Sequence, residues 1–227
     1  MATITDISRL LLAVLAALPP LSSAQSSYCS INECDLNRHT MCRFPSSTPA
    51  SACGPVAANS VSAADQAEIL QAHNDLRRAV KNGDYSSYGL PAAKSIPDLA
   101  WNSSLAAVAQ RWANQCQTEH DECRNMPGMF VGQNLAWSGN RAKDWRQQVA
   151  VQWFSTELQY VQSTLNNLRY RGGGAIHLTQ VIWAQTTQVG CAYMESTPPG
   201  YPYKKRIYFC NYGPRGNMHN QNVYETL

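Results

Sequence analysis

The stretch "AIHLTQVIWAQTTQVGC", residues 175–191, sets a histidine beside a β-branched and aromatic run that closes on a cysteine. Its first part, "IHLTQVIWAQT", fits either a short buried helix or a strand, and periodicity does not distinguish them. Downstream, "QVGCAYME" and "KRIYFCNYG" predict two strands separated by the turn-rich "STPPGYPYK". Cys191 and Cys210 lie within these strands and are placed to bridge them.

Upstream of this stretch the pattern is helical. "SAADQAEILQAHNDLRRAV" has an N-cap candidate in Ser62, and its apolar stripe includes His73. "NSSLAAVAQRWANQC" predicts a second helix, and "DWRQQVAVQWFSTELQYVQSTL" a third. Helices packed on a small sheet indicate one α/β sandwich domain. The tryptophans, Trp137 among them, are expected in its core, and "KKR" at 204–206 is expected to be solvated surface.

The N-terminus has the pattern of a signal peptide. Arg9 precedes the apolar "LLLAVLAAL", which is too short to span a bilayer, and small residues follow at Ser22 and Ala24. We therefore predict a signal peptide at residues 1–24, a cysteine-rich irregular extension at 25–60, and the main domain at 61–227. The mature protein is expected to be secreted, monomeric and without a membrane anchor.

Eight cysteines in a secreted chain predict four disulfides, but the residues alone leave 105 pairings open. No CxxC or zinc-finger spacing is present. The net charge of +3, without a basic stripe interleaved with aromatics, argues against nucleic-acid binding. Asn102 begins the sequon Asn-Ser-Ser and also stands at a helix start, so it is a candidate for both a glycan and an N-cap.

Several motifs together resemble a known family. "IHLTQVIWAQT" with "VGC", and "IYFCNYGPRGNM" at 207–218, resemble the two signatures of the CAP superfamily of cysteine-rich secretory, antigen 5 and pathogenesis-related proteins. "QAHNDLRRAV" and "VGQNLAW" also resemble the family, and the N-terminal "YCSINECDLNRHTMCRF" resembles its antigen 5 branch, found in arthropod venom and saliva. The resemblance implies a three-layer α-β-α sandwich. It also implies the disulfide pairs Cys29–Cys42, Cys34–Cys123, Cys53–Cys116 and Cys191–Cys210.

The resemblance further implies a central cleft where two histidines and two acidic residues meet and where several members bind a divalent metal. His73 and His177 are the expected histidines. Gln133 replaces one acid, and Thr156 stands where the other is expected, so both residues are expected to line the cleft. Glu157 comes one residue late, and because one helical residue is a rotation of about 100°, its carboxylate is expected to stand beside the cleft but turn elsewhere.

With both carboxylates missing, two imidazoles would bind zinc weakly, or copper somewhat better, and no acid would orient a catalytic base. We therefore expect a non-enzymatic, secreted protein. The resemblance implies that it is allergen-like and binds apolar ligands such as a fatty acid, eicosanoid or sterol, or a host factor. One alternative is metal-dependent or protease-like activity at the His73/His177 cleft. The other is inhibition of a host receptor or haemostatic protein through the loops at 82–97 and 197–203.

Overall fold

The computed structural model describes residues 27–35, 37–139 and 141–227. The predicted signal peptide lies outside these ranges. The α-helices in the described residues are α1 (Thr40–Arg43), α2 (Ala63–Asn82), α3 (Ser103–Ala113), α4 (Val161–Thr164) and α5 (Ile176–Ile182). A π-helical segment spans Gln147–Gln152, and 3₁₀ turns span Ser27–Ser30, Ser51–Cys53, Ser86–Tyr88 and Ser155–Tyr160.

The strands are β1 (Val56–Ala58), β2 (Ala100–Trp101), β3 (Gly132–Ser138), β4 (Leu165–Asn166), β5 (Arg169–Tyr170), β6 (Gln188–Ser196) and β7 (Lys205–Gly213). The main sheet has the order β1-β6-β7-β3, and β2 adds a short parallel pairing to β6. β4 and β5 form a separate hairpin. β3 is therefore an edge strand along its whole length, which matters for the site below.

The predicted three-layer sandwich is confirmed. One face of the sheet packs against α2, the π-helical segment and α5 in a large apolar core. The other face packs against α3 in a smaller core that contains Phe209 and Ile207. The ambiguous stretch after residue 175 is a helix, α5, rather than a strand.

Two local predictions differ in outcome. Ser62 caps α2 as expected, and its hydroxyl accepts from the Asp65 N–H while the Asp65 side chain accepts from the Ser62 N–H. The single third helix is wrong: its segment divides into the π-helical segment, a 3₁₀ turn and α4. The extension is also not wholly irregular, because its β1 residues pair with the end of β6.

Four disulfides join the pairs that the family resemblance implies, Cys29–Cys42, Cys34–Cys123, Cys53–Cys116 and Cys191–Cys210. The last pair lies directly opposite in the β6/β7 register. Two others, Cys34–Cys123 and Cys53–Cys116, tie the extension to the loop after α3. That segment has few apolar residues of its own, so covalent attachment holds it on the domain.

Arg77 of α2 is a fully buried cation that joins several segments. Its guanidinium donates to the carbonyls of Pro97 (2.7 Å), Val181 (2.8 Å), Trp183 (3.0 Å) and Thr186 (2.8 Å). Burial lowers its pKa to about 10, so it stays charged at neutral pH. These bonds fix the loop after α5 against α2.

Candidate functional site

The cleft lies beside the edge strand β3, and α5 supplies His177 to it. His177 Nδ1 contacts Glu157 Oε1 at 2.5 Å, and Glu157 Oε2 accepts the backbone N–H groups of His177 (3.0 Å) and Leu178 (2.9 Å). The carboxylate thus occupies the amino-terminal end of α5, where orphan N–H groups favour an anion. Because an ionised carboxylate only accepts, Nδ1 of His177 carries the proton.

The expectation that Glu157 turns away from His177 is wrong, and the backbone explains why. Trp153 N–H donates to the carbonyl of Gln148, five residues earlier, at 3.1 Å. This π-type bond is followed by a 3₁₀ turn, so the rotation of about 100° per residue does not hold across the segment. The carboxylate one residue late in sequence is consequently in place in space.

The second imidazole of the cleft is His120, in the loop after α3, and sequence reasoning missed it. Gln133 Nε2 donates to Asn211 Oδ1 (2.9 Å) and Asp121 Oδ1 (3.2 Å), which fixes the orientation of its amide. Gln133 Oε1 therefore faces His120 Nδ1, at 2.7 Å, and accepts a hydrogen bond from the Nδ1–H group. The signal that could have found His120 is the "HDEC" run before Cys123, since Asp121 anchors both Gln133 and the loop.

The electrostatics of His120 favour its neutral form. Partial burial lowers its pKa, as does the positive charge of Arg124, against the raising effects of Gln133 and Asp121. His177 is among the titratable groups that lie near His120. A neutral imidazole is the form that coordinates a metal.

His73 does not belong to this cleft, which corrects the sequence prediction. It is fully buried, its Nδ1 donates to the Ile69 carbonyl (2.8 Å), and its Nε2 accepts from the Tyr212 hydroxyl (2.8 Å). The Asn134 amide donates to the Tyr212 oxygen (3.3 Å) and to the His177 carbonyl (3.1 Å). His73 thus supports the backbone of His177 through two intermediaries, while both its nitrogens are occupied.

Two other predicted positions have local roles. Thr156 is exposed, and its hydroxyl donates to the Gln152 carbonyl at 2.9 Å, so it does not line the cleft. Asn102 caps α3: its Oδ1 accepts from the N–H groups of Ser104 (2.8 Å) and Leu105 (3.0 Å), and its Nδ2 donates to Gln188 (2.6 Å). Glycosylation at Asn102 stays a prediction.

The cleft contains two imidazoles, His120 and His177, that are oriented in the same way. Each Nδ1 is held by an acceptor, which leaves each Nε2 lone pair without a hydrogen bond among the described residues. Metal-binding histidines are commonly oriented in this way. Within the same residues, no three His, Cys, Asp or Glu side chains are grouped to hold a metal ion. A metal bound here would therefore have at most two such protein ligands, His120 and His177.

The sequence matches the model of the cysteine-rich secretory protein family over residues 70–212. It is 39% identical over 195 residues to venom allergen 5 of Brachyponera chinensis, which covers 82% of this chain and 97% of the relative. It is 38% identical over 209 residues to venom allergen 5 of Vespa mandarinia, with 88% and 99% covered.

A solved structure, "NaASP2 with Zn2+", is similar at a TM-score of 0.60 and 26% identity, and the match covers 74% of this chain and 88% of that one. No helix in the described ranges combines the length and apolarity needed to cross a membrane. The signatures, the sandwich with its four disulfides, and these matches lead to one conclusion: the chain belongs to the CAP family of cysteine-rich secretory proteins, in its antigen 5-like branch.

Proposed function

We propose that this chain is a secreted, non-enzymatic binding protein of the venom-allergen type, and that its cleft binds a divalent transition metal through His120 and His177. The observation that carries the metal proposal is the pair of imidazoles, each held at Nδ1, by Gln133 and by Glu157. The similar structure titled with Zn2+ supports the same chemistry. Secretion is supported by the leader-like N-terminus and by the venom relatives.

The ligand set determines how tightly a metal is bound and which metal is preferred. Zinc sites usually have three or four protein ligands, so two imidazoles completed by solvent give weak binding. Copper(II) is preferred over zinc by imidazole sites in general. Glu157 is turned to Nδ1 and to backbone N–H groups, so it orients His177 rather than binding the ion itself.

Isothermal titration of the mature, disulfide-intact protein with zinc or copper tests this proposal. We expect binding heat that is lost in His120→Ala and in His177→Ala, and retained in His219→Ala, an exposed histidine outside the cleft. Equal heat in all three variants, or none in the wild type, would contradict the proposal.

A hydrolytic function is a second candidate, because the structure supplies the acid that the sequence prediction lacked. Glu157 orients His177, and a carboxylate–imidazole pair can act as a general base toward water. A screen with peptide and ester substrates would decide: turnover that falls in His177→Ala, with and without added zinc, would favour the enzyme over the binder.

Binding of an apolar ligand is supported by one cavity of about 360 Å³ between the segment 94–97 and the C-terminal residues. Its apolar wall includes Pro97, Ala184, Val223 and Tyr224. This volume lies at the small end of ligand pockets. Ala184→Trp would fill the cavity. Binding of a fluorescent fatty acid by the wild type but not by this variant would place the ligand there.

A further inference from the structure

An exposed aromatic cluster lies at the opposite end of β3 from the cleft. Trp137, Tyr201 and Tyr203 are 49%, 42% and 47% exposed. Tyr201 and Tyr203 come from the loop between β6 and β7, where six consecutive residues, 199–204, are exposed. Their rings meet edge to face, with centroids 6.1 Å apart. The sequence prediction that Trp137 lies in the core is therefore wrong.

The pleat explains why Trp137 is exposed. Trp137 lies opposite Ile207, and Lys205 stands two residues before Ile207 in β7. Side chains two residues apart in a strand point to the same face, so all three share the face that packs against α3. Ile207 is fully buried in the small core, whereas Trp137 lies beyond the part of this face that the core covers. The end of the sheet therefore presents an aromatic residue to solvent.

A cation is built into the cluster. Lys205 is only 7% exposed, contrary to the prediction of a solvated "KKR" run, and its ammonium lies 5.3 Å from the Trp137 ring centroid and 5.4 Å from that of Tyr201. Among the described residues it has no carboxylate partner at ion-pair distance, so its charge is balanced only by the rings.

The surrounding charge is also positive. Lys204 and Arg206 share one carboxylate, that of Glu195, at 2.9 and 3.0 Å. Residues 195–206 therefore carry three cations against one anion, a formal net charge of +2. Exposed Tyr and Trp rings beside a surplus of cations match the composition of surfaces that rest at the headgroup level of an anionic bilayer.

We propose that Trp137, Tyr201, Tyr203 and Lys205 form a peripheral docking surface for anionic phospholipid membranes. The aromatic rings enter the interfacial layer, the exposed Lys204 faces the lipid headgroups, and Lys205 and Arg206 add positive charge from beneath the surface. A bilayer fits better than an acidic glycan, because Lys204 and Arg206 already pair with Glu195 and the Lys205 ammonium is buried against the rings, which leaves few donors for a glycan. This surface is independent of the cleft and of its metal.

Co-sedimentation of the mature protein with vesicles tests the proposal. We expect binding to vesicles of phosphatidylcholine with phosphatidylserine, little binding to phosphatidylcholine alone, and weakening by salt. Tyr201→Ser/Tyr203→Ser should weaken binding about tenfold, and Lys204→Glu by a similar factor. Tyr88→Ser and Lys94→Glu change equally accessible residues elsewhere and should leave binding unchanged.

Fluorescence gives a second readout that does not depend on the tyrosine variants. Vesicles should shift the emission of the wild type to shorter wavelength, and Trp137→Phe should abolish the shift. No excess binding to anionic vesicles, or equal binding by the cluster variants and their controls, would overturn the proposal. Retention on heparin that the cluster variants lose, without any vesicle binding, would assign the surface to an acidic glycan instead and would also overturn it.

Discussion

The buried histidine His73 makes the stability of this protein depend on pH in a defined window. Its neutral ring satisfies both its neighbours, and burial lowers its pKa from 6.5 to about 4. In the unfolded chain the ring takes up a proton near pH 6.5, so the unfolded state is favoured as the pH falls below that value. The stabilisation that the neutral His73 ring contributes is fully present above pH 7 and is lost as the pH falls from 6.5 to 4.

The magnitude follows from the shift. The pKa of His73 differs by about 2.5 between the two states, and at about 1.36 kcal/mol per pKa unit the free energy of unfolding falls by about 3 kcal/mol once the pH is below 4. About 2 kcal/mol of this decrease occurs between pH 7 and pH 5. Urea unfolding of the disulfide-intact protein, followed by tryptophan fluorescence at several pH values, measures this loss. Asp65 and Glu195 have lowered pKa values, so their stabilisation is lost only below their normal pKa values of 3.8 and 4.5.

His39 and His120 also have lowered pKa values and add to the slope with the same sign. The variant His73→Gln separates the effects, because an amide donates and accepts without titrating. It should be less stable than the wild type at pH 7 but should lose about 2 kcal/mol less between pH 7 and pH 5. An unchanged pH dependence in His73→Gln would refute the reasoning, since the ring would then titrate alike in both states.

Three further predictions concern stability and the cleft. Arg77→Met removes four charge-assisted hydrogen bonds and should lower the free energy of unfolding by about 3–5 kcal/mol in urea, with Arg77→Lys intermediate. Gly190→Ala would place its Cβ 2.3 Å from the N–H nitrogen of Ala106 in α3; we expect about 1–3 kcal/mol of destabilisation in the same assay, and no loss would show that α3 can move. Glu157→Gln should weaken metal binding about 10- to 100-fold by titration, because the orientation of His177 is relaxed; unchanged affinity would remove Glu157 from the site.

Local sequence patterns predicted the elements whose stabilising contacts are close in the chain. The capping residue Ser62 bonds to Asp65, three residues away, and the apolar stripe of α2 lies within one helix. The strands β6 and β7 are short segments with apolar and aromatic residues, separated by a turn-rich segment. The π-helical segment was not predicted, because its apolar pattern is compatible with an α-helix and the difference is one backbone bond.

The cleft shows the opposite case. His73 was selected because it stands in a family motif on an apolar stripe, but that stripe is the buried face of α2, and burial removed the side chain from the cleft. His120 lies in a loop without periodicity, so the only local signal for it was the "HDEC" run. Its partner Gln133 is 13 residues away and the contact between Glu157 and His177 spans 20, and such distances are set by how elements pack.

The sequence by itself determined the family, the layered fold and the helix cap at Ser62, because signatures, periodicity and capping are properties of neighbouring residues. Only the tertiary structure decided that Gln133 pairs with His120 while His73 is buried against Tyr212, that Glu157 orients the His177 ring, and that the Lys205 ammonium lies against the exposed Trp137. The physical reason is that exposure and side-chain pairing depend on where one element stops covering another, and that boundary is set by packing between segments far apart in the chain.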